Sequence, residues 1–195
     1  MSTVDNTPSD LTDVPPELHA EVLKWRTVER LRPEHIALAG PGQESVWDYP
    51  RPPRVEPVSA TITVVFHGLT LASSQNAYRV IETSGAPVYY IPQSDINMEC
   101  LEPSARQTLC EWKGTSAYFN VNVNNHTAAD AAWTYPQAWG EFAVISGYIA
   151  FHPAQMSECW VNQELARPQP GNYYGGWVTD AIVGPFKGEP GSEGW

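Results

Sequence analysis

From Ala60 onward the apolar residues recur at every second position: Ile62, Val64 and Phe66 share one face of a segment that breaks at His67-Gly68 and resumes over Leu69 to Ala72. Period two with a two-residue, glycine-containing break predicts a half-buried β-hairpin. Short runs of the same kind follow at 78–82, 88–91, 115–123, 148–151 and 158–161, parted by turn-forming clusters such as Ser84-Gly85-Ala86-Pro87 and Asn124-Asn125-His126. The clearest is 117–123, where Tyr118 and Asn120 alternate with Phe119, Val121 and Val123. No internal repeat is visible.

Upstream the period changes. Leu18, Val22, Trp25 and Val28 fall at helical spacing, with Asp13 as a candidate N-cap, Pro15 and Pro16 in the first turn and Pro33 beyond the end, so a helix stopping near Leu31 is expected. Residues 33–58 are proline-rich and aperiodic, and are expected to run extended over the domain with Trp47 or Tyr49 docked on it. Residues 1–14 are polar and expected to fray. The expected organisation is a tail at 1–14, a helix and strap at 15–58, and a β domain at 59–195.

A chain of 195 residues fits one domain with an extension. Its 14 Gly, 18 Pro, eight Trp and nine Tyr suit short strands and tight turns better than a helical bundle. A net charge of −11 with only three lysines leaves no basic stripe for a phosphate backbone, so nucleic acid is not an expected partner. The same acidity argues against an anionic membrane surface, and no run of eighteen apolar residues is present to span a bilayer. The opening residues show neither a basic start nor an apolar stretch, and the expected location is the cytoplasm. Cys100, Cys110 and Cys159 form no C-x-x-C pair, so neither a disulfide framework nor a four-cysteine zinc site is expected.

Four stretches in order, CEWKGTSAYF at 110–119, AAWTYP at 131–136, GYIAFHP at 147–153 and YGGWVTDAIVGPFKGEPGSEGW at 174–195, resemble the domain of unknown function 427 family, which also carries a nucleotidyltransferase-type label. The strap ESVWDYPRPP at 44–53 resembles the lead-in of cyanobacterial and plant-like members. The resemblance implies a mainly β, compact antiparallel fold of the β-tent type, the architecture shared with methionine sulfoxide reductase B and the ligand domain of cereblon. Several such relatives hold a four-cysteine zinc; with no paired cysteines here, no metal and no cofactor are expected. Nucleotidyl transfer is not expected either, because no clustered carboxylates or phosphate cradle are written in the chain.

Two of the three lysines stand in one local setting, Trp112-Lys113-Gly114 and Phe186-Lys187-Gly188. Such a lysine can hold an anionic group of a ligand, or act as base or Schiff-base former if burial lowers its pKa; it can equally lay its stem over an aromatic ring before a glycine that the backbone requires. Cys110 lies three residues before Lys113, where an ammonium would favour a thiolate, and is the second catalytic candidate. Trp112, Tyr118, Trp133 and Tyr135, joined by Tyr174, Gly175, Gly176 and Trp177, either line a cleft for a flat or cationic small molecule, with Lys187, or fill a core. His67, His126 and His152 are read as satisfied or solvent-facing. The expected function is small-molecule binding, with or without a reaction, at Lys113; the alternative is a non-catalytic interaction module or homodimer.

Overall fold

The computed structural model describes residues 10–195, so most of the expected tail lies outside the described residues. Of that stretch, Val14 is buried and the Asp10 carbonyl accepts a hydrogen bond from Arg26. A 3-10 turn at Pro16–Leu18 leads into α1 (His19–Arg26), which stops well short of Leu31 and has no side-chain cap from Asp13. Of the expected stripe only Val22 is buried, while Trp25 and Val28 are 43% and 40% exposed. Eight residues carry little helical stability alone. The helix end is held by tertiary contact, Arg26 donating to the Glu111 carbonyl at 2.7 Å.

The strap supplies β1 (Glu44–Ser45) and β2 (Arg54–Pro57). Between them Trp47 and Tyr49 are buried with Val46, Ile81 and Ile182; Trp47 Nε1 donates to the Pro185 carbonyl at 2.9 Å and the Tyr49 hydroxyl to Glu44 at 2.6 Å. β3 (Ile62–Phe66) and β4 (Leu69–Ser74) form the hairpin that the alternation predicts, and His67 and Gly68 take φ of 45° and 78°, the left-handed pair that matches strand twist. A second hairpin pairs β5 (Tyr78–Glu82) with β6 (Gly85–Tyr90). Then β7 (Leu101–Cys110), β8 (Gly114–Val123) and β9 (His126–Thr134) form a meander, and β10 (Ile149–Phe151) adds beside β9. The remainder is short: β11 (Glu158–Val161), β12 (Glu164–Leu165), β13 (Arg167–Pro168), β14 (Trp177–Val178) and β15 (Ile182–Val183).

These strands make a mainly β protein of antiparallel sheets, ordered β10-β9-β8-β7, β12-β11-β3-β4 and β2-β5-β6, with the pairs β13-β14 and parallel β1-β15; none closes into a barrel. Two long strands escape the hydrophobic pattern. β7 is a sheet edge, half of it exposed, and can therefore hold Pro103 and a polar run. β9 is alanine-rich and interrupted by Asp130 at φ 51°, so it carries little strand propensity.

Besides the cluster around Trp47 and Tyr49, two larger aromatic cores result. The larger unites Ile62, Val64, Phe66, Val121, Phe151 and Trp177; the second joins Val80 and Tyr90 of the β2-β5-β6 sheet to Ala150 of β10, and holds Trp112, Tyr135, Phe142 and Ile145. Among the described residues no helix is long and apolar enough to cross a membrane.

Candidate functional site

The β7–β8 hairpin turns through Glu111, Trp112 and Lys113. Gly114 closes it at φ 96°, and a Cβ there would meet the Trp139 ring at 2.9 Å, so glycine is required by both backbone and space. Lys113, 9% exposed, enters the second core, its ammonium 5.6 Å from the centre of the Tyr135 ring and 5.7 Å from that of Phe142. Among the described residues no carboxylate lies within 4.0 Å of that ammonium.

Burial alone would favour the neutral amine, but Cys110, then Tyr90 and Glu82, outweigh it and hold the lysine pKa above its usual range. Lys113 is therefore a cation at neutral pH, which favours the anion-holding alternative over a lowered amine acting as base or Schiff-base former. Burial pushes the phenols of Tyr90 and Tyr135 up, so at neutral pH they offer lone pairs and no charge. Glu82, the one carboxylate in this group, is taken by Arg51.

Of the remaining candidates, Cys110, Trp112, Trp133 and Tyr135 belong to the second core that Lys113 enters. Trp112 is 4% exposed, flanked by the guanidinium groups of Arg26 at 4.8 Å and Arg51 at 5.4 Å from its ring centre, and its Nε1 has no hydrogen-bond partner. Trp133 stands between Tyr90 at 6.4 Å and Tyr118 at 6.5 Å; Arg106 lies 4.6 Å over Tyr118, whose hydroxyl is 3.1 Å from Thr108 Oγ1. Gly175 is pressed on Trp133, since a Cβ would come within 2.2 Å of its ring, and Gly176 is packed equally tightly on Gln169 and Ala86. Tyr174 is half-buried, with the Lys187 ammonium 5.8 Å from its ring centre. Trp177 does not join them. It is wholly buried in the larger core, 5.1 Å from Tyr89, its Nε1 donating to the Phe151 carbonyl at 3.3 Å.

A groove of about 250 Å³ runs between Leu18, Gln107, Ser116 and Trp139, and a void of about 20 Å³ lies between Arg26, Trp112 and Phe142; neither is lined by Lys113. Among the described residues no three His, Cys, Asp or Glu side chains are placed to hold a metal ion. His67 and His126 stack in the open at 3.6 Å. His152 departs from the satisfied-or-exposed expectation: it is buried, neither ring nitrogen has a well-formed hydrogen bond, and burial lowers its pKa.

Sequence reasoning passed over Arg51, Tyr90 and Glu82. Arg51 stands inside the strap motif, and Tyr89-Tyr90 ends a predicted strand, but nothing in spacing reveals that the strap crosses the β7–β8 turn.

Antiparallel sheets enclosing a buried ammonium among aromatic rings define a β protein with a polar point inside an otherwise apolar wall. The chain belongs to the family described as a domain of unknown function (DUF427), which matches residues 54–162, more than half its length. That stretch contains Cys110, Lys113, Tyr118, Trp133 and Tyr135, while the resembling tail at 174–195 lies beyond it. No curated protein matches the chain.

Proposed function

We propose that the chain binds a small molecule whose anionic group sits on the Lys113 ammonium between the two sheets, with Trp133, Tyr135 and Tyr118 against its flat body. The observation that carries this reading is a buried cation with no carboxylate within ion-pair distance. Such a group is costly to bury and is ordinarily paired; an incoming carboxylate or phosphate oxygen supplies the missing partner in a medium where the interaction is strong. Tyr90 and Tyr135 add hydroxyls at the same point, and Cys110 places a thiol there that a ligand with an electrophilic carbon would meet. We read the facing sheets as the β-tent architecture, and the three free cysteines as suited to a reducing compartment such as the cytoplasm.

The test is a thermal-shift screen of small carboxylates and phosphate esters on wild type and Lys113→Met, since a ligand that binds only the native state raises the unfolding midpoint. Stabilising ligands whose effect vanishes in Lys113→Met support the reading; ligands that stabilise both proteins alike contradict it.

One observation favours a second reading. Trp25, Val28, Leu31 and Leu38 are 43%, 40%, 66% and 94% exposed along the N-terminal segment, an apolar surface suited to a protein partner or a second copy of the chain. Sedimentation velocity of wild type and of Leu31→Asp with Leu38→Asp decides it: a wild-type dimer that the double change dissolves supports self-association.

A further inference from the structure

The groove of about 250 Å³ near the β7–β8 turn has no part in the Lys113 reading, and the chain around it is held in place. The end of the hairpin contributes Gln107, Thr115 and Ala117, with Gln107 paired to Ala117 and Leu109 to Thr115. The segment after β9 contributes Gln137 and Trp139 and is pinned three times. The Ala138 amide donates to Ser146 Oγ at 3.0 Å, the Trp139 amide to the Lys113 carbonyl at 3.3 Å, and the Phe142 amide to the Trp139 carbonyl at 3.0 Å. The Trp139 ring rests on Gly114, where a Cβ would come within 2.9 Å of it, so the indole is a fixed plate. The turn from Pro15 to Leu18, closed by the Leu18 amide on the Pro15 carbonyl at 2.9 Å, completes the lining.

None of the nine lining residues is charged, so neither an anion nor a cation finds a counter-charge there. Among the described residues the side chains of Gln107, Thr115 and Gln137 have no hydrogen-bond partner in the chain, nor has the Trp139 indole N–H. The two amides and the hydroxyl each donate and accept, and the indole donates. A ligand that meets them is neutral and carries donors and acceptors together. The Trp139 plate, with Pro15 and Leu18, asks for an apolar face on the same molecule. A pyranose ring has that make-up, with C–H groups on a face and hydroxyls around the rim. Size points the same way: the volume lies just below the range of about 300–1,000 Å³ that holds drug-sized ligands, which suits one sugar ring better than an extended peptide.

We infer that this groove is a second binding site, which takes one pyranose ring of a neutral carbohydrate against Trp139. It stands apart from the reading of Lys113, which does not line it.

The experiment is saturation-transfer NMR of the full chain with the methyl β-glycosides of glucose and galactose and the methyl α-glycoside of mannose. At least one is expected to receive saturation, most strongly on the C–H protons of one ring face, and to shift the Trp139 indole N–H resonance, identified by its loss in Trp139→Phe. Trp139→Ala is expected to weaken that glycoside by about tenfold or more, and the paired change Gln107→Ala with Gln137→Ala by about fivefold or more. Both glutamines are exposed, so the paired change tests the site even where Trp139→Ala fails to fold. Lys113→Met is expected to leave glycoside binding within about twofold, so the failure of one site is told apart from that of the other. Cellobiose bound more tightly than the glucoside assigns the ring to the end of a glycan, and bound more weakly to a free sugar; either supports the site. No saturation transfer to any of the three glycosides overturns it, as does binding that the Trp139 and glutamine changes leave untouched. An indole resonance that answers to a capped hexaproline peptide and to no glycoside would give the groove to a protein partner and overturn the carbohydrate.

Discussion

The two aromatic cores are built from the same residue types and differ in how their polar atoms are met. In the larger one Trp177 is wholly buried and its indole N–H reaches a carbonyl; in the second, the indole N–H of Trp112 reaches nothing, and a lysine is buried without a carboxylate beside it. Buried polar groups are hydrogen-bonded in the great majority of cases; Trp112 is one exception, and Arg30, Thr134 and His152 are others, so what sets the second core apart is the lysine ammonium with no carboxylate among the described residues within 4.0 Å. Aromatic richness alone does not separate a pocket from a core. The polar bookkeeping does.

If that contrast is sound, the two cores respond oppositely to loss of their central side chain. Trp177→Ala removes a fully buried ring and one hydrogen bond, and is expected to cost about 3–5 kcal/mol in urea unfolding, with no change in ligand response where the protein remains folded. A smaller loss comes from Arg51→Met. Arg51 joins Glu82, Glu111 at 3.0 Å and the Trp25 carbonyl at 3.1 Å while covering Trp112, so its removal is expected to cost about 1–3 kcal/mol and to loosen the strap from the β7–β8 turn, detected as earlier proteolytic cleavage between residues 26 and 58.

The smallest effect is one of pH. Burial, then the charge of Arg106, keeps the His152 pKa below its ordinary value near 6.5. A depressed folded-state pKa means that the unfolded chain takes up the proton first, so the His152 contribution is intact above about pH 6.5 and is lost as pH falls through the window below it. Replacing His152 with Phe should flatten that part of the stability profile. An unchanged slope between pH 6.5 and the carboxylate range would mean the imidazole is free to charge in the native protein.

Much of the β framework was legible because its signal is local. The β3–β4 hairpin follows from Ile62, Val64 and Phe66 with a turn at His67-Gly68, and 78–82 and 158–161 match the observed strands end to end. The pattern lost sight of β7 because an edge strand need not be apolar, and of β9 because alanine packs between sheets without advertising it. The helix was overestimated since helical spacing of Leu18, Val22, Trp25 and Val28 says nothing about whether a surface exists to bury them. At the site, Lys113 and its glycine were visible as a motif, and the matching Lys187-Gly188 proved to share the same left-handed glycine. A partner drawn from the strap, Arg51, was not, because its approach to Trp112 is a product of tertiary folding across more than fifty residues of sequence.

Urea unfolding of Lys113→Met beside wild type, without ligand, goes to the heart of the matter. With no carboxylate among the described residues within 4.0 Å of its ammonium, Lys113 makes no ion pair for the change to break, so an apolar side chain of similar length should leave stability within about 1 kcal/mol of wild type or raise it. A loss of about 3–5 kcal/mol would show instead that the lysine neutralises a buried partner and serves the fold, and the small-molecule site would fall with it.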